Sequence, residues 1–344
     1  MKLILILLIL LGIIGICAGF LMIYMPGKSY RGSVVSLTSE EFLLRDRLRL
    51  GVEKLAGEIG ERNVFQYENL REAADFLENS LRGMGYQVQR QSYEVAPSFR
   101  STGPHPERRV EGKICDNLEV QITGSQRPDE IVIIGAHYDS ADGSPGANDN
   151  ATGAIAILEL ARAFAGKKLT RTLRFVEFVN EEPGHFMSDQ MGSVVYARRC
   201  RQRGEKIVAM LSLETIGYYS DEKGSQHYPS PFHLFYPSSG NFVAFVGDLS
   251  SRKLVLEVVA SFRRHAQFPS EGIATFRNIS GVGWSDHWSF WQERYPALMV
   301  TDTAPFRYPY YHTAQDTPDK VQYDRLAGLV IGLEKVIAEL VRVL

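Results

Sequence analysis

The sequence predicts an α/β protein: a mostly parallel, twisted mixed sheet with helices on both faces, preceded by an N-terminal transmembrane helix. Three observations lead there. Residues 3–25 hold no charge between Lys2 and Lys28 and are long enough to cross a hydrocarbon core of about 30 Å as a helix. From residue 131 onward, short continuous apolar runs alternate with stretches of helical periodicity, the pattern of a largely parallel sheet covered on both faces. The 344 residues carry 38 basic and 40 acidic side chains, a net charge of -2, which excludes a nucleic-acid partner held by bulk charge.

Taken in order, residues 1–27 form an anchor or signal segment and residues 28–344 a single domain. Cleaved signal peptides have apolar regions of about 7 to 15 residues that end at small residues; this run is longer, and an uncleaved anchor is the favoured reading. The domain is then expected outside the cytoplasm, periplasmic or extracellular, with cleavage and secretion as the alternative. Pro26 and Gly27 open a short linker. Residues 39–60 and 68–85 have helical periodicity, with Gly85 as the stop. Residues 86–95 and 118–123 read as half-buried strands, separated by a loop over 96–112. Strands follow at 131–135, 173–179, 207–213 and 297–300, and helices at 154–164, 187–203, 254–265 and 326–343. Residues 219–241, with Pro229, Pro231 and Pro237, read as an irregular insertion. Three cysteines, Cys17, Cys115 and Cys200, are too few for a disulfide framework or a thiolate zinc cluster, and only a Cys115 to Cys200 pairing stays open.

In open α/β sheets, ligands bind beyond the carboxyl ends of the strands. The strand ends here deliver His137 and Asp139, then Glu181 and Glu182, then Glu214, and after the last strand His312; Asp149 stands at the mouth of a helix. Alone, each reads as an ordinary hydrogen-bonded or solvated side chain. Together, imidazoles and carboxylates converging on one crevice repel or protonate without a counter-charge, which a divalent metal supplies. The mixture of nitrogen and oxygen ligands, without thiolates, suits Zn2+ best. There are ligands enough for two ions with one carboxylate bridging. A carboxylate bound to a metal loses its basicity, so only one of Glu181 and Glu182 can serve as the base.

The series His137-x-Asp139, Asp149, Glu181-Glu182, Glu214 and His312 resembles the co-catalytic two-zinc aminopeptidases. Their group of zinc exopeptidases also holds glutamate carboxypeptidases and glutaminyl cyclases. The likeness runs from about residue 68 to the C-terminus and includes the phrases 146–153, Ser285-Asp286-His287, Tyr295-Pro296-Ala297 and 312–317. It implies a zinc-exopeptidase domain of the phosphorylase/hydrolase-like fold with two Zn2+ per chain. Asp149 would bridge them, His137 and Glu214 completing one site, Glu182 and His312 the other. The resemblance also makes Glu181 the general base, gives Asp139 the hydrogen bond from the far ring nitrogen of His137, and implies a cis peptide between Asp149 and Asn150. It places Asp286 beside the centre; Ser285 reads from the sequence as a helix N-cap. The family often has Asp where Glu214 stands. Several members carry a Tyr where this chain has Gly283, which leaves the oxyanion donor open among Tyr311, His185 and Trp284.

The expected function is a membrane-anchored zinc metallopeptidase that removes N-terminal residues from peptides with a free N-terminus through a metal-activated water. The alternatives are a glutaminyl-cyclase-like acyltransferase and a non-catalytic binding ectodomain of the same fold. The insertion, with Phe232, Phe235 and Tyr236, reads either as the wall of a side-chain pocket or as a structural loop.

Overall fold

The computed structural model describes residues 19, 21–32, 37–95, 104, 108–110 and 112–344. Two helical segments come first: α1 (Ser39–Val52), which runs on into a π-helical turn Glu53–Ile59, and α2 (Tyr67–Gly83). A capping box starts α1, with the Thr38 hydroxyl accepting from the Glu41 amide and the Glu41 carboxylate accepting from the Thr38 amide; such caps are worth about 1 kcal/mol. The chain leaves α2 through Gly85, whose φ of 90° suits glycine. Then come β1 (Gln89–Glu94), β2 (Ile114–Ile122), β3 (Arg127–His137), α3 (Thr152–Phe164), β4 (Arg171–Phe178), α4 (Gly192–Gln202) and β5 (Lys206–Glu214). The series closes with β6 (Val243–Asp248), α5 (Arg252–His265), β7 (Ser270–Thr275), α6 (His287–Gln292), β8 (Ala297–Thr301) and α7 (Tyr323–Val341).

The eight strands form one sheet in the order β1-β2-β4-β3-β5-β8-β6-β7. β3 pairs in parallel with β4 and β5, and β5 with β8; β6 and β7 are parallel to each other, and β6 runs antiparallel to β8. The carboxyl ends of β3, β4, β5 and β8 therefore share one edge of the sheet. Val132, Ile133 and Ile134 are all fully buried, which explains the unbroken apolar run of a strand covered on both faces. One face packs under α3, α5 and α7 through residues such as Phe164, Phe262 and Leu333; the other meets α4 and α6 through Tyr196, Phe290 and Trp291.

Three expectations change. The helix expected from residue 187 starts at Gly192, because residues 183–191 form turns in which Met187 takes a φ of 58°. Two strands, β6 and β7, went unread. Each is six residues long and contains a glycine, a turn signal by composition. Here Gly247 and Gly272 instead admit close neighbours, since a Cβ would lie 2.5 Å from Val255 and 2.9 Å from Met25. Pro26 and Gly27 are not a free linker: their carbonyls, with that of Met25, accept from the Arg263 guanidinium, and Ser29 Oγ accepts from the Ser270 amide. Most of the expected anchor, residues 3–25, lies outside the described residues, of which it contributes only 19 and 21–25. No helix among the described residues is long and apolar enough to cross a membrane. Cys115 and Cys200 are both buried free thiols.

Candidate metal centre

His137 is the last residue of β3 and Glu214 the last of β5, while Glu181 and Glu182 follow β4 by two residues. Asp149 lies in the turn Ala147–Ala151 ahead of α3, and its peptide bond to Asn150 is cis. His312 stands in the loop beyond β8. The backbone is left-handed at Asn180 (φ 60°), Thr215 (φ 41°) and His312 (φ 56°), at or next to a candidate metal ligand or, for Asn180, the candidate base Glu181. For a β-branched residue such as Thr215 this conformation is unfavourable. It is held by three bonds: its amide donates to Asn150 Oδ1, its carbonyl accepts from the Asp302 amide, and its hydroxyl meets that of Thr301.

Two groups result, His137 with Asp149 and Glu214, and Asp149 with Glu182 and His312, the ligand atoms within each lying no more than 4.8 Å apart. His137 Nε2 is 3.4 Å from Asp149 Oδ1 and 3.3 Å from Glu214 Oε2. His312 Nε2 is 3.0 Å from both Asp149 Oδ2 and Glu182 Oε2. A tetrahedral ion with bonds near 2.0–2.1 Å would set its ligands about 3.3 Å apart. Both imidazole nitrogens, both Asp149 oxygens and Glu182 Oε1 are buried without a hydrogen bond of acceptable geometry, the arrangement expected of atoms whose lone pairs converge on a cation. The residues fit a divalent metal at each group.

The electrostatics agree. Burial pushes the Glu182 carboxyl up, helped by Asp149 and opposed by His312, to about 7. Burial and the neighbouring acids Glu214, Glu182 and Asp286 raise Glu181 well above its ordinary value against the pull of His137. Burial likewise raises Glu214. Burial depresses His312, but Glu182 and Asp149 outweigh it and lift the imidazole to about 11. The cluster is thus acid-rich, and a divalent cation would supply the counter-charge in place of protons on its imidazoles and carboxyls.

Side chains behind these ligands hold them in place. Asp139 accepts from the amides of both Glu181 and Glu182 at 3.2 Å. Its contact with His137 differs from the expectation: Nδ1 bonds to the Asp139 carbonyl at 3.2 Å, and the carboxylate stands at 3.5 Å. The Asp316 carboxylate accepts from the Asn148 and Asp149 amides and from the Tyr308 hydroxyl. Asp302 accepts from the Asn148 side chain and the Tyr218 amide. Ser285 does not cap a helix; its hydroxyl donates to Glu214 Oε2 at 2.7 Å and pairs with Ser212. Arg62, fully buried, donates to the carbonyls of Tyr138, Pro145 and Gly146, on the two loops that bear Asp139 and Asp149. Asp286 is buried near His137 and Glu214, and burial raises its carboxyl to about 7.

Loops that follow four strands thus converge on two candidate ligand groups that share an aspartate, and comparison with known proteins says which family uses this arrangement. Residues 117–330 match peptidase family M28. The chain belongs to that family. Among relatives of this M28 peptidase, YfbL of Escherichia coli (strain K12), an uncharacterized protein, is 32% identical over 297 residues, covering 84% of this chain and 86% of YfbL. Leucine aminopeptidase 1 of Arthroderma otae is 28% identical over 225 residues, covering 60% of this chain and 54% of the fungal protein, so the chain spans about half of that relative. The fold is shared with BSAP, a zinc aminopeptidase from Bacillus subtilis (TM-score 0.67, 17% identity, 86% of this chain and 95% of that one). It is shared also with a glutaminyl cyclase of Porphyromonas gingivalis (TM-score 0.62, 18% identity, 86% and 98%).

Beside the centre, the M28 domain opens an apolar groove. Its floor follows a cross-strand row, Glu214 to Thr301 to Ala244 to Glu271, about 14 Å long at the usual strand spacing. Tyr228, Phe232 and Tyr236 of the insertion line it, with Trp284, Phe306 and Tyr311; Phe235 points outward and is exposed. Tyr311 stacks on His312 with ring centroids 3.8 Å apart. Arg62, Asp302 and the role of Ser285 went unread in the sequence. Arg62 and Asp302 lie in no recognisable phrase, whereas Asp316 stands inside the quoted phrase 312–317 and could have been singled out there.

Proposed function

We propose that this M28 peptidase is a zinc-dependent aminopeptidase with two Zn2+ per chain, one held by His137, Asp149 and Glu214 and the other by Asp149, Glu182 and His312. The observation that carries the reading is the pair of ligand groups sharing Asp149 with an uncommitted carboxylate, Glu181, against them and an apolar groove opening alongside. Zinc bound there would polarise the scissile carbonyl and acidify the attacking water. Glu181, 3.8 Å from His137 Nε2 and buried, takes the proton of that water on its carboxylate and returns it to the leaving amine. Asp139, by holding the two amides, fixes the direction in which Glu181 and Glu182 point.

Burial first, then Asp149, Glu182, Glu214 and Glu181, keep the Tyr311 phenol protonated far above neutrality. Tyr311 lines the groove together with Glu214 and stacks on His312, which places its phenol to donate to the developing oxyanion and favours it over His185 and Trp284. The free amine of the substrate pairs with the acidic surplus of the centre, and its first side chain enters the groove. Glu271 closes the far end. Arg263 approaches it only to 3.7 Å and directs its donors to Ser270 and to the carbonyls of residues 25–27. A long side chain with a terminal cation, passing between aromatic walls, fits that slot.

Membrane anchoring through residues 3–25, with the domain outside the cytoplasm, belongs to the same proposal and rests on the apolar run. The test is cleavage of a panel of aminoacyl reporters against their N-acetylated twins, with a glutaminyl peptide alongside and zinc counted per chain. Cleavage confined to free amines with two zinc ions supports the aminopeptidase. Cyclisation of the glutaminyl peptide without reporter cleavage replaces it with the cyclase.

A further inference from the structure

β6 and β7 run opposite to β8, so their carboxyl ends, Asp248 and Thr275, lie at the edge of the sheet away from the metal centre. That is where the N-terminal segment arrives. Residues 21–23 are helical; the Leu21 carbonyl accepts from Arg252 Nε at 2.8 Å, and Met22 Sδ accepts from the Thr275 hydroxyl. Met25 is then buried against Gly272, and the three carbonyls that follow are clamped by Arg263. The segment climbs the free edge of β7 as part of the domain.

Around the entry point, large apolar side chains stand in solvent: Leu21 (55% exposed), Tyr24 (50%), Leu249 (42%) and Phe276 (52%). Lys253 is exposed beside Arg252 at the start of α5. Apolar and aromatic side chains rimmed by cations suit the headgroup boundary of a bilayer. The chain length outside the docked part points the same way. As a helix at 1.5 Å per residue, the apolar residues 3–20 would span about 27 Å, close to one hydrocarbon core, which would bring residue 21 to the membrane surface.

We propose that the domain rests directly on the lipid surface through Leu21, Tyr24, Leu249 and Phe276, with the metal centre turned away from the bilayer. This rests on the anchor reading above. Asp248 lies one step past the Gly247–Leu298 pair, level with Ala297 and hence with Met210; Glu214 is four residues further along β5, about 13 Å higher. Peptides reach the groove from the aqueous side, and the lipid surface acts as the partner of the opposite end.

The experiment uses the full chain carrying Cys17→Ser, whose other two cysteines are buried, in vesicles of phosphatidylcholine and phosphatidylglycerol. A fluorophore is placed in turn at Leu249→Cys, Phe276→Cys and Ala314→Cys, the last beside the metal centre, and quenched by a headgroup-borne quencher. The expected result is loss of fluorescence at 249 and 276 and none at 314. Equal quenching at all three sites, or stronger quenching at 314, in protein that floats with the vesicles overturns the orientation while leaving the anchor intact. Failure to float overturns the anchor and the orientation with it. Inserting about ten Gly/Ser residues between positions 20 and 21 gives the domain slack; quenching at 276 should persist because the exposed patch itself meets lipid, and its loss would mean that the short connection alone holds the domain down and would overturn the contact through Leu249 and Phe276.

Discussion

Replacing Ser285 by alanine removes a single hydroxyl, yet it should separate the two proposed metal sites. Ser285 Oγ donates to Glu214 Oε2 at 2.7 Å and has no other carboxylate to serve; its second contact is Ser212. A hydrogen bond to a charged group contributes about 1.5–3 kcal/mol, which converts to a weakening of roughly 10- to 150-fold in any equilibrium that needs Glu214 charged and oriented. Glu214 belongs to one ligand group and is absent from the other. Competitive chelator titration of the zinc-loaded protein should therefore show one equivalent weakened by that factor and the second within about threefold of the parent. Ser285→Thr, which keeps a hydroxyl, should restore most of the difference. Equal weakening of both equivalents, or none, would refute the assignment of Ser285 to Glu214 alone.

Glu181→Gln should lower kcat by about 10²- to 10⁴-fold, the usual worth of a positioned base, with the zinc content unchanged from the parent protein; lost zinc would make Glu181 a ligand instead. Glu271→Gln should cut the kcat/KM ratio of N-terminal arginine over leucine reporters roughly tenfold, the worth of a charge-assisted hydrogen bond, and an unchanged ratio would remove Glu271 from specificity. His287 is fully buried, and burial lowers its imidazole to about 4. The folded protein thus refuses a proton that the unfolded chain accepts near pH 6.5. Its contribution is complete above pH 6.5 and is lost as pH falls toward 4, about 2–3 kcal/mol between pH 7.5 and 4.5. Urea titrations of metal-free protein should show that component missing in His287→Phe, and an unchanged pH dependence would contradict it.

What could be read in advance followed from periodicity and phrase order. Parallel strands buried on both faces announce themselves as apolar runs, so β3, β4, β5 and β8, and with them the placement of His137, Glu182 and Glu214, were legible. β6 and β7 were not, because Gly247 and Gly272 are chosen for what approaches them from outside the strand, a fact that no local window contains. The same holds at the centre. His137 and Asp149 stand in phrases, whereas Arg62 and Asp302 act through loops up to 84 and 154 residues distant in sequence. Ser285 misled for a simpler reason: a serine before a helix usually caps it, and here α6 begins with Asp286 in that place and no side-chain cap.

Arg62 bears on how the molecule could be divided. The stretch that matches the family begins at residue 117, yet the guanidinium that fastens the loops of Asp139 and Asp149 emerges from the ribosome well before it. A fragment trimmed to the family boundaries would retain every ligand and still leave the carbonyls of Tyr138, Pro145 and Gly146 without their donor. The smallest autonomous catalytic unit must therefore start upstream of residue 62, and the opening helices, which contribute no metal ligand, cannot be exchanged as an independent cassette.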